Sequence, residues 1–231
     1  MTSLGELLRS EFTSAESRTI PIRPEIPGKT TSRPARRLHD EQIHALVHEL
    51  FLGREPGLIR NVAFAPVDSP RLTASLCLDV ARTLASAGRH DVGLFDATSE
   101  PTPLHECLAI EAPVRPDVTW SIAPRLWLVP RESWWPEGVT SQPVGDPNLD
   151  RLREVMAEFD LSVLCCGTAS WITARIVSAC DGVVLVLTAN KTRRLVATQT
   201  KERLEKMHVS VLGSVLLERR FPVPQGLYRS L

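Results

Sequence analysis

The sequence predicts an α/β protein with a doubly wound, mostly parallel sheet and helices on both faces. Short apolar runs without in/out alternation, such as 61–66 and 182–187, are typical of strands that are buried on both faces. Helical patterns separate these runs along the chain, as βαβ units require. With 231 residues, 43% of them hydrophobic, the chain is long enough for one three-layer domain with a sizeable core.

The elements follow one another in regular order from residue 40. The first is a helix whose apolar residues recur at helical spacing and which Gly53 ends. Residues 97–150 are rich in proline, hold four of the five tryptophans, and form the loop-rich part. The predicted strands are 61–66, 91–96, 125–129, 161–165, 182–187 and 209–217, and the predicted helices are 40–52, 73–87, 104–109, 149–158, 171–179 and 194–207.

Composition argues against membrane-spanning, secreted and metal-binding proteins. No stretch approaches the roughly 20 uninterrupted apolar residues of a membrane-spanning helix, and residues 1–9 lack the apolar core of a signal peptide. The five cysteines show no CxxC or Cys/His spacing that would hold a metal. We therefore expect a cytoplasmic protein with reduced cysteines and no metal. Cys165 and Cys166 are adjacent on a strand, so packing on opposite faces is favoured over a redox pair.

Charge is balanced overall but uneven along the chain. Lys plus Arg and Asp plus Glu number 27 each. Residues 1–37 carry seven basic against four acidic side chains, residues 191–231 carry nine against three, and the middle is acidic by nine charges. This argues against a nucleic-acid partner and permits a basic edge that faces an acidic partner or an anionic membrane.

Residues 1–37 are predicted to be a flexible N-terminal segment and linker that precede a domain at 38–231. Within them, 18–37 is rich in Pro and Arg, and its four prolines exclude a helix or a central strand. Before it, Leu4, Leu8 and Phe12 fall at helical spacing. They form either a frayed terminal turn or a short docking helix.

The loop after the first strand is where a sheet of this kind binds ligands. A phosphate cradle there needs glycines, whose backbone N–H groups converge on the phosphate, and a lysine. Residues 65–75 contain no glycine and no lysine, and two prolines remove further donors. The loop has the position of a phosphate site without its chemistry.

Six segments between about residues 40 and 220 follow one another in a characteristic order. They are Glu41-Gln-Ile-His44-Ala-Leu-Val47-His-Glu-Leu50, similar to E-x-x-R-x-x-R-x-x-L; 79–88, similar to N-L-A-x-x-L-A-x-x-G; 92–97, similar to V-L-L-I-D-A-D; 159–168, similar to Y-D-x-V-I-I-D-T-P-P; 179–187; and 211–216. In these segments the chain resembles the cytoplasmic kinase domain of the bacterial tyrosine autokinases of capsule and exopolysaccharide operons, a branch of the MinD/ParA-like P-loop ATPases. The resemblance implies a P-loop NTPase-like fold.

At the chemical positions the resemblance fails. The family's G-E-G-K-S-T falls on residues 70–75, so Thr73 replaces the phosphate-binding lysine and Ala74 the hydroxyl that holds Mg²⁺. Of three expected carboxylates only Asp96 remains. Because phosphoryl transfer needs Mg²⁺ and cations, we expect no Mg·ATP chemistry and no cofactor. The degenerate nucleotide-site positions are Pro70, Leu72, Thr73, Ala74, Asp96, Thr98 and Cys165, and the family's tyrosine-rich tail is absent because Tyr228 is the only tyrosine.

Several residues have both a functional and a structural interpretation. Asp96 is either a relic acid/base or, as we favour, a cap for the next loop's amides. His44 and His48, with His39 before them, either share a metal or form a solvated or interface-facing pair. Trp134 and Trp135 are candidate partner anchors, whereas Trp127 is expected in the core. Four arginines, namely Arg193, Arg194, Arg219 and Arg220, are expected to be solvated, with a phosphate or lipid contact as the alternative.

The first hypothesis is a pseudo-ATPase that acts as an interaction or regulatory module in exopolysaccharide biosynthesis and export. The resemblance implies a membrane-anchored polysaccharide co-polymerase, a chain-length regulator, as partner and recruitment to the inner face of the cell membrane. It also implies a monomer or small homo-oligomer, since His44 and Val47 replace the ring-forming arginines. The alternatives are a divergent kinase or ATPase that binds ATP through Arg71 and Thr73, and a ParA-like positioning factor. The candidate interaction residues are Leu4, Leu8, Phe12, Glu41, His44, Trp134 and Trp135.

Overall fold

The computed structural model describes residues 40–53, 59–98, 102–113, 115, 117–135, 147–168 and 170–219, all within the unit Arg36–Leu231. The strands are β1 (Asn61–Pro66), β2 (Val92–Ala97), β3 (Trp120–Ala123), β4 (Leu126–Val129), β5 (Leu161–Cys166), β6 (Gly182–Thr188) and β7 (Val211–Leu217). The α-helices are α1 (Asp40–Val47), α2 (Pro70–Ser86), α3 (Leu104–Cys107), α4 (Pro147–Met156), α5 (Trp171–Val177) and α6 (Arg194–Lys206). A π-helical turn, His48–Leu52, extends α1, and a 3₁₀ turn, Arg131–Ser133, follows β4.

The seven strands form one sheet in the order β3-β4-β2-β5-β1-β6-β7. All neighbouring pairs are parallel except β3 and β4, which are antiparallel. Strand β1 lies between β5 and β6, and β2 pairs with the other side of β5. The predicted α/β class with a mostly parallel sheet is confirmed.

Helices cover both faces of the sheet and enclose two apolar cores. The first core takes its side chains from α1, α2 and α3 together with one face of the strands. The second takes them from α4, α5 and α6 and the opposite face. Cys165 belongs to the first core and Cys166 to the second, as expected for adjacent residues of a strand.

Helix α2 begins at Pro70, three residues before the predicted start. Proline is tolerated in the first turn of a helix, where its missing N–H would have no intrahelical partner. Leu76, Val80 and Leu84 recur at helical spacing and are buried in the first core. The helix therefore starts directly above the carboxyl end of β1, where the fold places a ligand.

Positive backbone φ angles explain two boundaries that the sequence predicted incorrectly. The strand predicted at 125–129 begins at Leu126, because Arg125 takes a φ of 58° in the turn between β3 and β4. The helix predicted at 104–109 ends at Cys107, and Ala109 has a φ of 52°. Strand β3 was not predicted. Among the residues the structure describes, no helix combines the length and hydropathy that crossing a bilayer requires.

Candidate functional site

The carboxyl ends of β1, β5 and β2 bring the degenerate nucleotide-site positions together. Cys165 in β5 lies in register with Phe64 on one side and with Asp96 on the other. Helix α2, which starts after β1, packs over these three strands and brings Thr73 and Ala74 to the same end. The positions that the resemblance selected thus share one edge of the sheet.

Both carboxylate oxygens of Asp96 are engaged in hydrogen bonds within the protein. Oδ1 accepts from the backbone N–H of Thr98 at 3.0 Å and from its hydroxyl at 2.7 Å. Oδ2 accepts from the backbone N–H of Leu104 at 2.7 Å. The carbonyl of Thr98 in turn accepts from Nη1 of Arg131 at 2.8 Å. Asp96 is buried and caps the loop between β2 and α3, which is the structural role.

Thr73 and Ala74, at the lysine and Mg²⁺-hydroxyl positions, lie on the buried face of α2. Thr73 has no exposed surface, and its Oγ1 donates to the carbonyl of Ser69 at 3.2 Å. Ala74 lies in the first core. Arg71 on the same turn is exposed, whereas Leu72 is half-buried. The helix therefore turns the two family positions inward, away from any ligand above the loop.

Cys165 lies in an apolar environment shared with Cys77 of α2. Burial raises the pKa of the Cys77 thiol well above its usual range, and a hydrogen bond with Cys165 raises it further. Burial likewise raises the pKa of Cys166. Cys165 itself offers a soft sulfur donor, and Mg²⁺ prefers oxygen ligands, so this buried side chain does not replace a carboxylate that holds Mg²⁺.

The loop after β1 contains a polar cluster that the sequence analysis missed. We call it the Asp68 network, and it comprises Asp68, Ser69, Thr188, Lys191 and Thr192. Oδ1 of Asp68 accepts from the Thr188 hydroxyl at 2.8 Å, and Oδ2 accepts from the Thr192 hydroxyl. Nζ of Lys191 donates to Oγ of Ser69 at 2.9 Å, and Oγ1 of Thr192 accepts from the Thr188 N–H at 2.8 Å. The network ties the loop after β1 to the loop after β6.

The carboxyl group of Asp68 is ionised at neutral pH. Burial raises its pKa, but hydrogen bonds from Thr192, Thr188 and Ser69 and the charge of Lys191 outweigh burial, so the pKa lies below its usual value. A fixed negative charge therefore occupies the loop where a phosphate would bind. The sequence could have indicated the Asp68 network. Residues 68–69 follow β1 and residues 191–192 follow β6, and the carboxyl ends of neighbouring parallel strands lie at the same edge of a sheet.

The residues that correspond to the family's E-x-x-R-x-x-R-x-x-L motif lie partly at the surface and partly in the core. Glu41 and His44 are exposed on α1, whereas Val47 is buried in the first core. Nδ1 of His44 donates to the carbonyl of Asp40 at 2.8 Å, and His48 is exposed. In the ranges that the structure covers, no three His, Cys, Asp or Glu side chains are grouped to hold a metal ion. His39 lies outside the described residues.

Trp134 corrects one prediction, because it is fully buried and cannot be an exposed partner anchor. The 3₁₀ turn that follows β4 directs its ring into the second core. The ring packs edge-on against Trp135 at 5.8 Å, and the Arg131 guanidinium lies over Trp135 at 5.6 Å. Trp135 is half-buried, as is Trp127, which contacts Phe159.

Trp171 is the exposed tryptophan of the described chain, and it is the first residue of α5, as the sequence pattern predicted. Its side chain is 58% exposed. The Arg175 guanidinium lies 5.9 Å from the centre of its ring. Arg193, Arg194 and Arg219 are exposed, as expected. The candidates Leu4, Leu8 and Phe12, and also Arg220 and Tyr228, lie outside the described residues.

The fold matches solved kinase domains of bacterial tyrosine kinases. The kinase domain of the Escherichia coli tyrosine kinase Etk superposes with a TM-score of 0.61 at 16% identity, over 80% of this chain and 79% of that one. The VpsO kinase domain gives 0.59 at 16% identity, over 78% of this chain and 96% of that one. This chain has the fold of bacterial tyrosine kinase domains.

The same fold extends to ATPases of the ParA family. A ParA family ATPase from Chlorobium tepidum superposes with a TM-score of 0.54 at 13% identity, over 68% of this chain and 73% of that one. No protein-family model and no curated protein sequence matches the chain. The likeness therefore concerns the backbone, and the side chains at the site decide the chemistry.

The residues present do not fit Mg·ATP, the group that this fold implies. The hydroxyl of Thr73 and both oxygens of Asp96 are bound within the protein, and Cys165 is a buried thiol. The Asp68 carboxylate, hydrogen-bonded to Thr188, closes the loop beside the phosphate position. The backbone has the fold of the tyrosine kinase domains, and the described residues at the corresponding phosphate positions, such as Thr73 and Ala74, are not ones that bind a nucleotide phosphate.

Proposed function

We propose that this chain is a catalytically inactive protein with the tyrosine kinase fold, a pseudo-ATPase that serves as a regulatory interaction module in exopolysaccharide biosynthesis and export. The observation that carries the proposal is the Asp68 network. Its carboxylate accepts the hydroxyl hydrogen bonds of Thr188 and Thr192 in the loop where this fold would hold phosphate. The Asp68 carboxylate is thus the anion that these hydroxyls bind, and the loop has no glycine and no lysine of its own to hold a phosphate.

The chemistry of phosphoryl transfer supports the same proposal. That reaction needs Mg²⁺ and cationic groups that neutralise charge on the moving phosphoryl group. Mg²⁺ requires oxygen ligands with near-octahedral geometry, and the one remaining carboxylate, Asp96, is buried and accepts three hydrogen bonds within the protein. A protein with this site contributes through its surfaces.

The alternative of a divergent kinase or ATPase depends on Arg71 and Thr73. The structure leaves Thr73 buried with its hydroxyl donated to Ser69, so only Arg71 remains as an exposed candidate. A ParA-like positioning factor would also need nucleotide, and the same argument weighs against it. Arg71 is therefore the residue whose substitution separates these alternatives from the proposal.

We further propose a membrane-anchored polysaccharide co-polymerase as the partner, with recruitment to the inner face of the cell membrane. The similarity to tyrosine kinase domains such as Etk and VpsO supports this pathway. Residues 1–37 would act as the tether and 38–231 as the domain. A proline-rich linker of about 20 residues at roughly 3.1 Å per residue spans tens of ångströms. The burial of Val47 supports a monomer or small homo-oligomer, because the ring-forming contact needs that position at the surface.

The experiment is complementation of a deletion strain, with polysaccharide output and protein level measured together. We expect deletion to lower output, and the natural chain and its Arg71→Ala variant to restore it equally. The matched control is Arg82→Ala, an exposed arginine further along α2. Unchanged output in the deletion strain contradicts a role in this pathway. If Arg71→Ala lowers output at equal protein level and Arg82→Ala does not, the proposal of a catalytically inactive protein is contradicted and the alternative of a divergent kinase or ATPase is supported.

A further inference from the structure

Among the described residues, the two most exposed of the large apolar side chains belong to the starts of two helices. Leu195, in the first turn of α6, is 67% exposed, and Trp171, the first residue of α5, is 58% exposed. Helix α5 follows β5 and helix α6 follows β6, and both helices pack in the second core. Because β5 and β6 run parallel to β1 on either side of it, both side chains lie at the carboxyl end of the sheet, on the face of the second core.

Both side chains point away from the second core. In α6 the buried residue is Leu204, which follows Leu195 by nine residues, or about two and a half helical turns, so the two lie on opposite sides of the helix. In α5 the guanidinium of Arg175, one turn later, lies 5.9 Å from the centre of the Trp171 ring, and the buried residues are on the other side. Helical side chains also lean toward the amino end of their helix. Leu195 and Trp171 therefore project outward at the carboxyl end of the sheet.

The chain around Leu195 is positively charged. Residues 189–201 contain no acidic side chain, and three basic side chains that precede Leu195 are exposed, namely Lys191, Arg193 and Arg194. The described contacts bring two acidic residues to this loop, and both are half-buried. One is Asp68, which Thr192 binds, and the other is Glu218, which follows β7. The exposed charge beside Leu195 is therefore positive.

This positive and apolar surface ends after the first turn of α6. Val196 in that turn is 42% exposed. Glu202 is exposed on the same side of the helix as Leu195, about 10 Å further along the axis. We call Trp171, Lys191 and residues 193–196 the basic apolar surface. It is confined to the carboxyl end of the sheet, so a partner would meet this end of the domain rather than the side of α6.

A surface that combines exposed arginines with exposed apolar side chains suits the interface of an anionic lipid bilayer. At such an interface apolar side chains enter the region below the headgroups, while each Lys or Arg attracts anionic lipid. Tryptophan is favoured at the same depth, because its ring is apolar and its N–H is polar. Duplex DNA would offer phosphates to the arginines but would leave Leu195 and Val196 in water.

We propose that the basic apolar surface docks directly on an anionic lipid bilayer, with the carboxyl end of the sheet toward the headgroups. Its three apolar side chains enter the interface, and its three basic side chains face the anionic headgroups. This contact goes beyond the proposed function, because it needs neither residues 1–37 nor a partner protein. Its failure would leave in place the proposed function, which polysaccharide output tests.

The test is co-sedimentation of the full chain with vesicles of equal parts phosphatidylglycerol and phosphatidylcholine, with pure phosphatidylcholine vesicles as the control. We expect binding to the anionic vesicles at millimolar lipid and little binding to the neutral ones. Binding should weaken as salt is added, because salt screens exposed charges. The tryptophan emission should shift to shorter wavelength on binding, and Trp171→Phe should remove most of that shift.

Two pairs of exposed variants localise the binding. Arg194→Glu should raise the lipid concentration for half-maximal binding by about fivefold or more, whereas Lys206→Glu, the same charge change at the other end of α6, should change it much less. Leu195→Gln should raise it by about fivefold, whereas Met207→Gln, at a 39% exposed side chain after α6, should not. The pairs are independent, so one remains informative if a variant of the other fails to fold.

Three results would overturn the proposal. The first is no binding to anionic vesicles, or equal binding to anionic and neutral vesicles. The second is unchanged binding of both Arg194→Glu and Leu195→Gln, which would assign the lipid contact to another part of the chain, such as residues 1–37 or 220–231. The third is binding of duplex DNA or polyglutamate, but not of vesicles, that Arg194→Glu weakens, which would identify a nucleic acid or an acidic protein segment as the partner.

Discussion

The carboxylate of Asp68 accepts hydrogen bonds from two hydroxyls that lie 120 and 124 residues later in the chain. Hydrogen bonds to the ionised form favour it, which is why the pKa is lowered although burial opposes this. The same residue thus closes the loop after β1 and gives it a negative charge. A phosphate loop needs the reverse, converging N–H groups and a cation.

Asp68→Asn removes this charge without removing the side chain. At pH 7 it should lower the free energy of unfolding by about 1 kcal/mol, the typical value of such a hydrogen bond. Because the folded pKa is depressed, the contribution is present above the unfolded value of about 3.9 and is lost as pH falls through the folded pKa. Urea unfolding of both proteins across pH checks this.

The matched control for Asp68→Asn is Asp150→Asn, which breaks an exposed ion pair with Arg153 in the first turn of α4. Exposed pairs contribute about 1 kcal/mol or less, so its effect should be the smaller of the two. The account of Asp68 is contradicted if the difference in free energy of unfolding between Asp68→Asn and the natural chain does not change as pH falls into the acid range.

At the scale of elements, the packing between β6 and β7 requires a glycine at position 182. The register shift at Val183 and Val184 places Leu212 over Gly182. A Cβ built at Gly182 lies 2.5 Å from Cγ of Leu212 and 2.9 Å from the carbonyl oxygen of Ser210. At Gly213, on the exposed strand, a Cβ meets nothing within 4 Å.

Gly182→Ala should therefore destabilise the protein by about 2 kcal/mol, because the neighbouring backbone must move. Gly213→Ala, the matched control one strand away, should be neutral or stabilise by up to about 1 kcal/mol through the unfolded chain. Thermal and urea unfolding measure both. Equal destabilisation by the two variants would contradict the described packing of β6 against β7.

Local patterns predicted most elements and missed what depends on distant contacts. Long apolar runs such as β6 can be recognised as strands from the sequence, because a strand that is buried on both faces needs no polar residues. The four-residue β3 carries no such run and depends on its pairing with β4. Trp134 follows a loop signal, yet a turn after β4 buries it. The Asp68 network joins two loops far apart in sequence, which no local pattern reports.

Substitution of Trp134 and Trp171 tests directly whether Trp134 is buried and Trp171 exposed. Trp134→Ala removes a fully buried ring from the second core and should cost about 3 to 5 kcal/mol of unfolding free energy. Trp171→Ala removes an exposed ring and should change stability by about 0.5 kcal/mol or less. Urea unfolding of both variants measures these effects. A larger destabilisation by Trp171→Ala than by Trp134→Ala would contradict the burial of Trp134.

For the whole molecule, the described core begins at α1. Ile43 and Val47 of this helix pack in the first core. We therefore predict that deletion of residues 1–37 leaves a cooperatively folding domain with an unchanged melting temperature. If the proposed membrane-anchored partner binds through this segment, the same deletion should weaken recruitment to it and lower polysaccharide output. Loss of cooperative unfolding would show that residues 1–37 belong to the core, and full output at equal protein level would contradict the tether.

The central proposal is that this chain, which has the fold of bacterial tyrosine kinase domains, does not bind Mg·ATP, and titration of the full chain with Mg·ATP tests it most directly. A ligand at about 100 times its Kd adds about 2.7 kcal/mol to the free energy of unfolding and raises the melting temperature. We predict no change in melting temperature and no calorimetric binding at millimolar Mg·ATP. A saturable rise in melting temperature that requires both ATP and Mg²⁺ would contradict the account.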